Sequence, residues 1–480
     1  MRARGCACIA GSLLVIRALA AGDSPPSPDR PWPIPEAALE RAAALASHQN
    51  PAPTEQPYDL ARLIDLAERT NPETKAAWEE ARAAAAAIGL AEAAYLPQLT
   101  FQAIGGLEHT PLPAPKDLVP KGYFVSDTRE IIPSIGLKWL LFDFGRREAA
   151  LDAAKADSFV ANVKFTGAHQ SLIFSVSQAY FDLSAARGRM RAARQALATA
   201  RTTEDAAVAK RTSGIGTIVS VAQAQRQSAQ MRYAVSAAEA TERTTLSTLI
   251  ASLGIPADAP LEVTDGSELS MPRAPEQTVT LAIREALGQR PDIIAALGEV
   301  DAAEANLKGE QRSYYPTLGL SASGFQNFGS VSSDGKPYST IDKPGGALLL
   351  SFSVPIFDGG TRRSRIAVAR SKLHAAEEQL AKNQDIASQQ VVKAYNSLVS
   401  GLSEYEAATA YQDAARTAYE AALRAYKQGV GTYTDLATEE NAVVQAETQV
   451  EDARASAHTA AAALAFAMGA IGAPAAGDKR

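Results

Sequence analysis

Proline is absent where it would do most damage. The chain has 26 prolines, yet none lies between Ser134 and Ile255 or between Ile356 and Ala473. Proline removes a helical hydrogen bond and clashes with the preceding turn, so both stretches can hold very long helices. Cysteine is nearly absent too: Cys6 and Cys8 are the only two. That leaves no disulfide framework and no thiolate metal site beyond the first ten residues. The five histidines show no metal-ligand spacing, and a net charge of −6 gives no cationic footprint for nucleic acid. The glycine-rich turns lack the lysine of a phosphate loop, and no constellation of catalytic residues stands out. Neither a cofactor nor enzymatic activity is expected. A long apolar run is lacking as well. The longest late uncharged segment, Ala455 to Gly477, is mostly alanine and glycine and contains His458, so it reads as the end of a packed helix.

The first residues carry Arg2 and Arg4, an apolar run from Cys6 to Ile16, and Ala18-Leu19-Ala20. Residues 1–20 are therefore expected to be a secretory signal peptide. No apolar run precedes either cysteine, so neither marks a lipoprotein cleavage site. Residues 21–57 are proline-rich and read as an extended lead-in.

What the rest contains is one unit written twice. Asn71-Pro72-Glu73 recurs 219 residues later as Arg290-Pro291-Asp292, and Tyr95-Leu96-Pro97 recurs as Tyr314-Tyr315-Pro316. Past that point the offset is 215. Phe142-Asp143 maps to Phe357-Asp358, Gly214-Ile215-Gly216-Thr217 to Gly429-Val430-Gly431-Thr432, and Leu253-Gly254 to Met468-Gly469. The four lost residues must lie between Pro97 and Phe142 or their counterparts. The copies span 58–256 and 278–469, joined by a linker at 257–277 and followed by a tail at 470–480. A copy of about 200 residues is too long for a solenoid repeat, so two similar halves are expected side by side in one fold.

Each proline-free stretch has one strong turn signal, its glycine pair. The spacing predicts two helical hairpins, with first arms over about 145–213 and 361–428. At about 1.5 Å per residue each arm is roughly 100 Å long. Apolar or small residues recur every seven positions: Leu151, Ser158, Phe165, Leu172, Ala179, Ala186, Ala193, Ala200 and Ala207 in one copy, and Ile366, Leu373, Leu380, Ala387, Ala394, Gly401, Ala408, Ala415 and Ala422 in the other. That period implies left-handed coiled-coil packing. Before each arm the period changes to two. Ile135, Leu137, Trp139 and Leu141 alternate with Ser134, Gly136, Lys138 and Leu140, and Leu348, Leu350, Phe352, Val354 and Ile356 alternate with Leu349, Ser351, Ser353 and Pro355. Partner strands are expected over Leu99–Leu107 and Leu318–Phe325. Strands of about ten residues suffice to cross a bilayer at a tilt, and one apolar face fits a lipid-facing barrel wall. A soluble hairpin with one wet face satisfies the same alternation. Asp143 and Asp358 are expected to cap the helices that follow.

Together these motifs resemble the outer-membrane efflux protein family, the TolC-like channels of Gram-negative bacteria. The likeness covers about residues 58–470. It rests on the Asn-Pro-Glu and Arg-Pro-Asp helix starts, the Tyr-Leu-Pro and Tyr-Tyr-Pro helix ends, Val354-Pro355-Ile356-Phe357-Asp358-Gly359-Gly360, and Tyr426 to Leu436 around the second glycine pair. The resemblance implies a mainly α fold with a membrane β-barrel portion: tandem long helical hairpins and four strands per subunit. It implies a homotrimer with a 12-stranded β-barrel in outer-membrane lipid and a 12-helix α-barrel across the periplasm. It implies a periplasmic adaptor (membrane fusion protein), an inner-membrane pump of RND, ABC or MFS type, and passive export of small molecules, peptides or proteins. By position, adaptor contact falls on Gly214, Ile215, Gly216, Thr217, Gly429, Val430, Gly431 and Thr432, and the first residue of an acidic aperture on Asp435. The second position is Thr438 here, a departure from the family, followed by Glu439 and Glu440, which complete the candidate aperture. The residues themselves leave a second reading for each. The glycines can simply end helices in the left-handed conformation, and Asp435 can complete a capping box with Thr432. A periplasmic coiled-coil adaptor or a structural scaffold would also have long hairpins, though an adaptor needs one hairpin and a scaffold needs no strands.

Overall fold

The computed structural model describes residues 57–266 and 269–472, together with 36 and 38–41. The expected signal segment, most of the lead-in and most of the tail lie outside the described residues. The chain divides into two compact units, Met1–Ala52 and Pro53–Arg480, and every element named here belongs to the second.

Each copy begins with two helices: α1 (Leu60–Thr70) and α2 (Pro72–Ala93) in the first, α5 (Val279–Gln289) and α6 (Pro291–Arg312) in the second. Asp59 caps α1 by accepting from the Arg62 N–H at 2.9 Å. Asn71 caps α2 by accepting from the Glu73 N–H at 2.7 Å, with Pro72 at the first helical position, where its missing donor costs nothing. The duplication preserves one contact while changing the residue that makes it. The Asn71 amide donates to the Ser252 carbonyl at 2.9 Å, whereas the Arg290 guanidinium donates to the Ala467 carbonyl at 3.0 Å. Those two carbonyls are 215 positions apart, so both copies tie their second helix to the end of their hairpin at one place.

Two β-hairpins follow: β1 (Gln98–Pro113) with β2 (Tyr123–Phe142), and β3 (Thr317–Ser333) with β4 (Ser339–Ser353). They form one antiparallel sheet in the order β1-β2-β3-β4. The alternation read from the sequence becomes a belt across that sheet. Leu99 lies opposite Leu137, Leu137 opposite Ala322, and Ala322 opposite Leu348. One step along, Trp139, Leu320 and Leu350 line up in the same way. The strands run 15 to 20 residues, well beyond the ten expected, and continue through glycine- and serine-containing segments at 326–333 and 339–346. Pro111, Pro113 and Pro344 are tolerated because they lie on the two edge strands. Pro133 sits where the β2–β3 pairing skips a step, between Ile131↔Phe328 and Ser134↔Phe325. The turns are 114–122 and 334–338, nine residues against five, and this accounts for the four-residue change of offset.

The long arms are α3 (Arg146–Thr212, 67 residues) and α7 (Thr361–Gln428, 68 residues), returning as α4 (Ile218–Leu253) and α8 (Tyr433–Ala467). The sevenfold rows are buried from Leu172 to Ala207 and from Ala387 to Ala415. The capping expectation needs one correction. The N-cap positions belong to Gly145 and Gly360, both with φ +86. Asp143 and Asp358 stand two residues ahead and reach past the glycines, accepting from the Arg147 N–H at 2.9 Å and the Arg362 N–H at 3.0 Å. Arg147 then donates to the carbonyls of Leu140 at 2.6 Å and Ala94 at 3.0 Å. Arg362 does the same to Pro355 at 3.0 Å. The strand-to-helix junction is therefore clasped by an aspartate–arginine pair in both copies. The copies are also interleaved: β2 pairs with β3, and α6 packs on α3.

Candidate functional site

The hairpin tips lie at the far end of α3 and α7 from the sheet, and the two are built alike. Gly214 and Gly429 adopt φ +79 and +82, a conformation that glycine takes without steric cost. The Lys210 carbonyl then accepts the N–H groups of Ile215 and Gly216, both at 3.0 Å, and the Ala425 carbonyl those of Val430 and Gly431, both at 3.1 Å. Closure is tight: a Cβ on Gly216 would lie 2.7 Å from the Arg211 nitrogen, and one on Gly431 3.1 Å from the Tyr426 nitrogen. Between the glycines the chain turns outward, so Ile215 and Val430 are each 80% exposed.

Threonine opens each returning helix. Thr217 accepts from the Ser220 N–H at 3.1 Å. Thr432 forms a full capping box: it accepts from the Asp435 N–H at 3.2 Å, and Asp435 accepts from the Thr432 N–H at 3.2 Å and its hydroxyl at 2.7 Å. Those bonds from Thr432, side chain first, hold the Asp435 carboxyl below the usual carboxylate range. Asp435 is nonetheless exposed, so capping leaves it open to solvent.

The three acids expected at an aperture do not share one environment. Asp435 is exposed and Glu439 half-buried, while Glu440 is only 2% exposed. Glu440 lies within the packing of the helices and cannot line an opening in this arrangement. Both its oxygens lack a hydrogen-bond partner, and burial pushes its pKa up to about 7. The neighbouring Tyr433 is pushed up to about 12, by burial first and then by the Glu440 charge.

The tips of the two hairpins are joined. Ala207, Val221, Ala224, Tyr426, Tyr433 and Leu436 form one buried cluster. Lys210 on α3 donates to the Tyr426 carbonyl on α7 and stands 3.7 Å above the Tyr426 ring. Gln227 on α4 donates to Asn441 on α8 at 2.7 Å. Sequence reading found the turns and the capping spacing, but not these cross-links. Lys210 has no partner at sequence distance, and Glu440 reads as a solvated charge.

Among the described residues no helix is long and apolar enough to cross a membrane, and no group of three or more His, Cys, Asp or Glu side chains could hold a metal. A sheet belted with apolar residues at one end, and paired coiled-coil hairpins joined at the other, are the parts of an envelope channel. The outer membrane efflux protein family matches residues 63–255 and 282–470, and the chain belongs to that family. It is 29% identical to protein CyaE of Bordetella pertussis over 434 residues, covering 90% of this chain and 89% of that protein. It is 25% identical to the alkaline protease secretion protein AprF of Pseudomonas aeruginosa, covering 85% and 83%. The fold matches the CmeC outer membrane channel of Campylobacter jejuni with a TM-score of 0.71 at 20% identity, covering 88% of this chain and 89% of that one. The protein is thus an outer-membrane channel component of efflux or secretion. The family is one of channels rather than enzymes, and adaptor or scaffold readings fall away.

Proposed function

We propose that three copies of this chain close into a single passive duct. The observation that carries this reading is the open sheet. β1 and β4 have no partner on their outer edges, and unpaired strand edges are not tolerated in lipid. Three such sheets joined β4 to β1 give twelve strands and no edge, and threefold symmetry is a common closed solution for identical subunits. The two hairpins of each copy then supply twelve helices to a periplasmic tunnel. Its entrance lies at the tips, where Asp435 and Glu439 would colour the field toward cations and where the exposed Ile215 and Val430 would meet a periplasmic adaptor. Through that adaptor the duct would receive cargo from an inner-membrane pump. That AprF is named for protease secretion supports a cargo class that includes polypeptides.

The test is a disulfide scan in outer membranes. One cysteine is fixed on β1 at Thr100, and the other is moved along β4 from Ile341 to Phe352. A covalent trimer at one register is the expected product. Monomers at every register would overturn the closed ring.

A further inference from the structure

The buried carboxyl of Glu440 has no place in a duct that merely conducts. It sits on α8 and faces a cavity of about 170 Å³, which α3 lines with Gln195 and Thr199, α7 with Arg416 and Tyr419, and α8 itself with Glu447. Among the described residues no proton donor reaches either oxygen. Arg416, the cation that lines the same cavity, is occupied: its guanidinium donates to Glu447 at 3.1 Å. The Glu440 charge also acts on Tyr433, which Tyr426, Glu204 of α3 and Arg226 of α4 likewise influence electrostatically. Both flanking ties between the hairpins, Lys210 to Tyr426 and Gln227 to Asn441, lie in this same end of the molecule.

We propose that Glu440 is a proton-binding latch between the two hairpins: carrying its proton it lets α8 pack against α3 and α7, and losing it loosens the tips. An ionised carboxylate with two unpartnered oxygens in an apolar packing is costly. Once the proton leaves for solvent, the charge is relieved when the helices part enough to admit water, or when Arg416 turns from Glu447 toward it. The sign follows from linkage. The packed state holds the proton more tightly than the loosened state, in which the carboxyl returns toward the ordinary value of 4.5. Packing at the tips is therefore strongest at acid pH. It weakens as pH rises through the window from about 4.5 to about 7, and the full penalty stands above that. An acidified periplasm would tighten the entrance, and a neutral one would release it.

Hydrogen exchange of the full-length protein in detergent tests this directly, since it needs neither adaptor nor transport. Failure here would leave the channel reading standing. Peptides from 205–230 and 420–445 are compared at about pH 5.5 and about pH 8 after correction for intrinsic exchange. In the parent, tip exchange should be about tenfold or more faster at the higher pH, and Glu440→Gln should be protected equally at both. Glu440→Asp, which keeps the acid, and Glu439→Gln, which alters its half-buried neighbour, should both retain the pH dependence. A parent with equal protection at both pH values would overturn the latch, as would a Glu440→Gln variant that still responds. Should that variant not assemble, infrared spectroscopy of the parent decides. A protonated carboxyl band must be present near pH 6 and disappear above about pH 7, and its absence sinks the proposal.

Discussion

A glycine at a turn can serve space or backbone freedom, and the tips use both. Gly214 has open space around an added Cβ but φ +79, so Gly214→Ala should cost about 1 kcal/mol through backbone strain alone. Gly216 instead has backbone nitrogen 2.7 Å from any added Cβ. Gly216→Trp or Gly431→Trp should leave assembly and insertion intact and weaken cross-linking to the adaptor. Wild-type cross-linking and efflux in both variants would remove the turns from the docking surface. Asp435 separates charge from shape in the same spirit. Asp435→Asn should lower cation preference in planar bilayers without lowering the melting temperature, whereas Asp435→Ala should lose both the charge and the cap. Because its hydrogen bonds from Thr432 depress the pKa, its contribution to selectivity should persist to lower pH than that of an ordinary surface carboxylate and be lost only as pH falls through the depressed value. Asp435 was legible because a capping box is written in a spacing of three. Glu440 was not, because burial comes from α3 and α7, which no local pattern on α8 reveals.

At the scale of elements, the rows of seven allow close approach because they are small. A Cβ on Gly401 would lie 3.3 Å from the Ala457 Cα, so α7 and α8 meet there nearly backbone to backbone. Gly401→Leu should destabilise the second hairpin by about 1–3 kcal/mol through overpacking, read as a lower melting temperature. Lys210→Met keeps the aliphatic stem but removes the bond to the Tyr426 carbonyl. It should raise exchange at 426–433 and increase single-channel conductance, and unchanged values of both would show that the apolar cluster and the Gln227–Asn441 bond join the tips without Lys210. The long first arms were legible almost to the residue, since a missing proline and a glycine pair set their limits. The strands were not. Glycine, serine and proline normally argue for loops, but a ladder whose hydrogen bonds are satisfied by its neighbours continues through them, with the prolines confined to edges and to one two-residue gap in the β2–β3 pairing.

For the whole molecule, the duplication showed in sequence as two offsets, and the fold explains why there are two. The tie between Asn71 and Ser252, and between Arg290 and Ala467, keeps the base of each hairpin equivalent, so the 215 offset holds along every long helix. The residues that make the tie differ, which is why a search for repeated letters alone would have missed it. The apolar belt makes a further claim at this scale. Leu350→Arg should reduce insertion by roughly 2–4 kcal/mol if the belt faces lipid near mid-membrane. Parent-like amounts in the outer-membrane fraction would place that row elsewhere.

The nine-residue turn at 114–122 and its five-residue counterpart at 334–338 stand at the opposite end of the sheet from the helices. They are the place where two copies of one unit have tolerated different lengths, whereas the hairpin tips match residue for residue. The molecule has, in effect, one end open to rewriting and one end held to a template. An epitope spliced into 114–122 should be carried without loss of export and bound by antibody on unbroken cells. The same insertion at Gly214–Thr217 should be hidden until the envelope is opened, and should silence the channel.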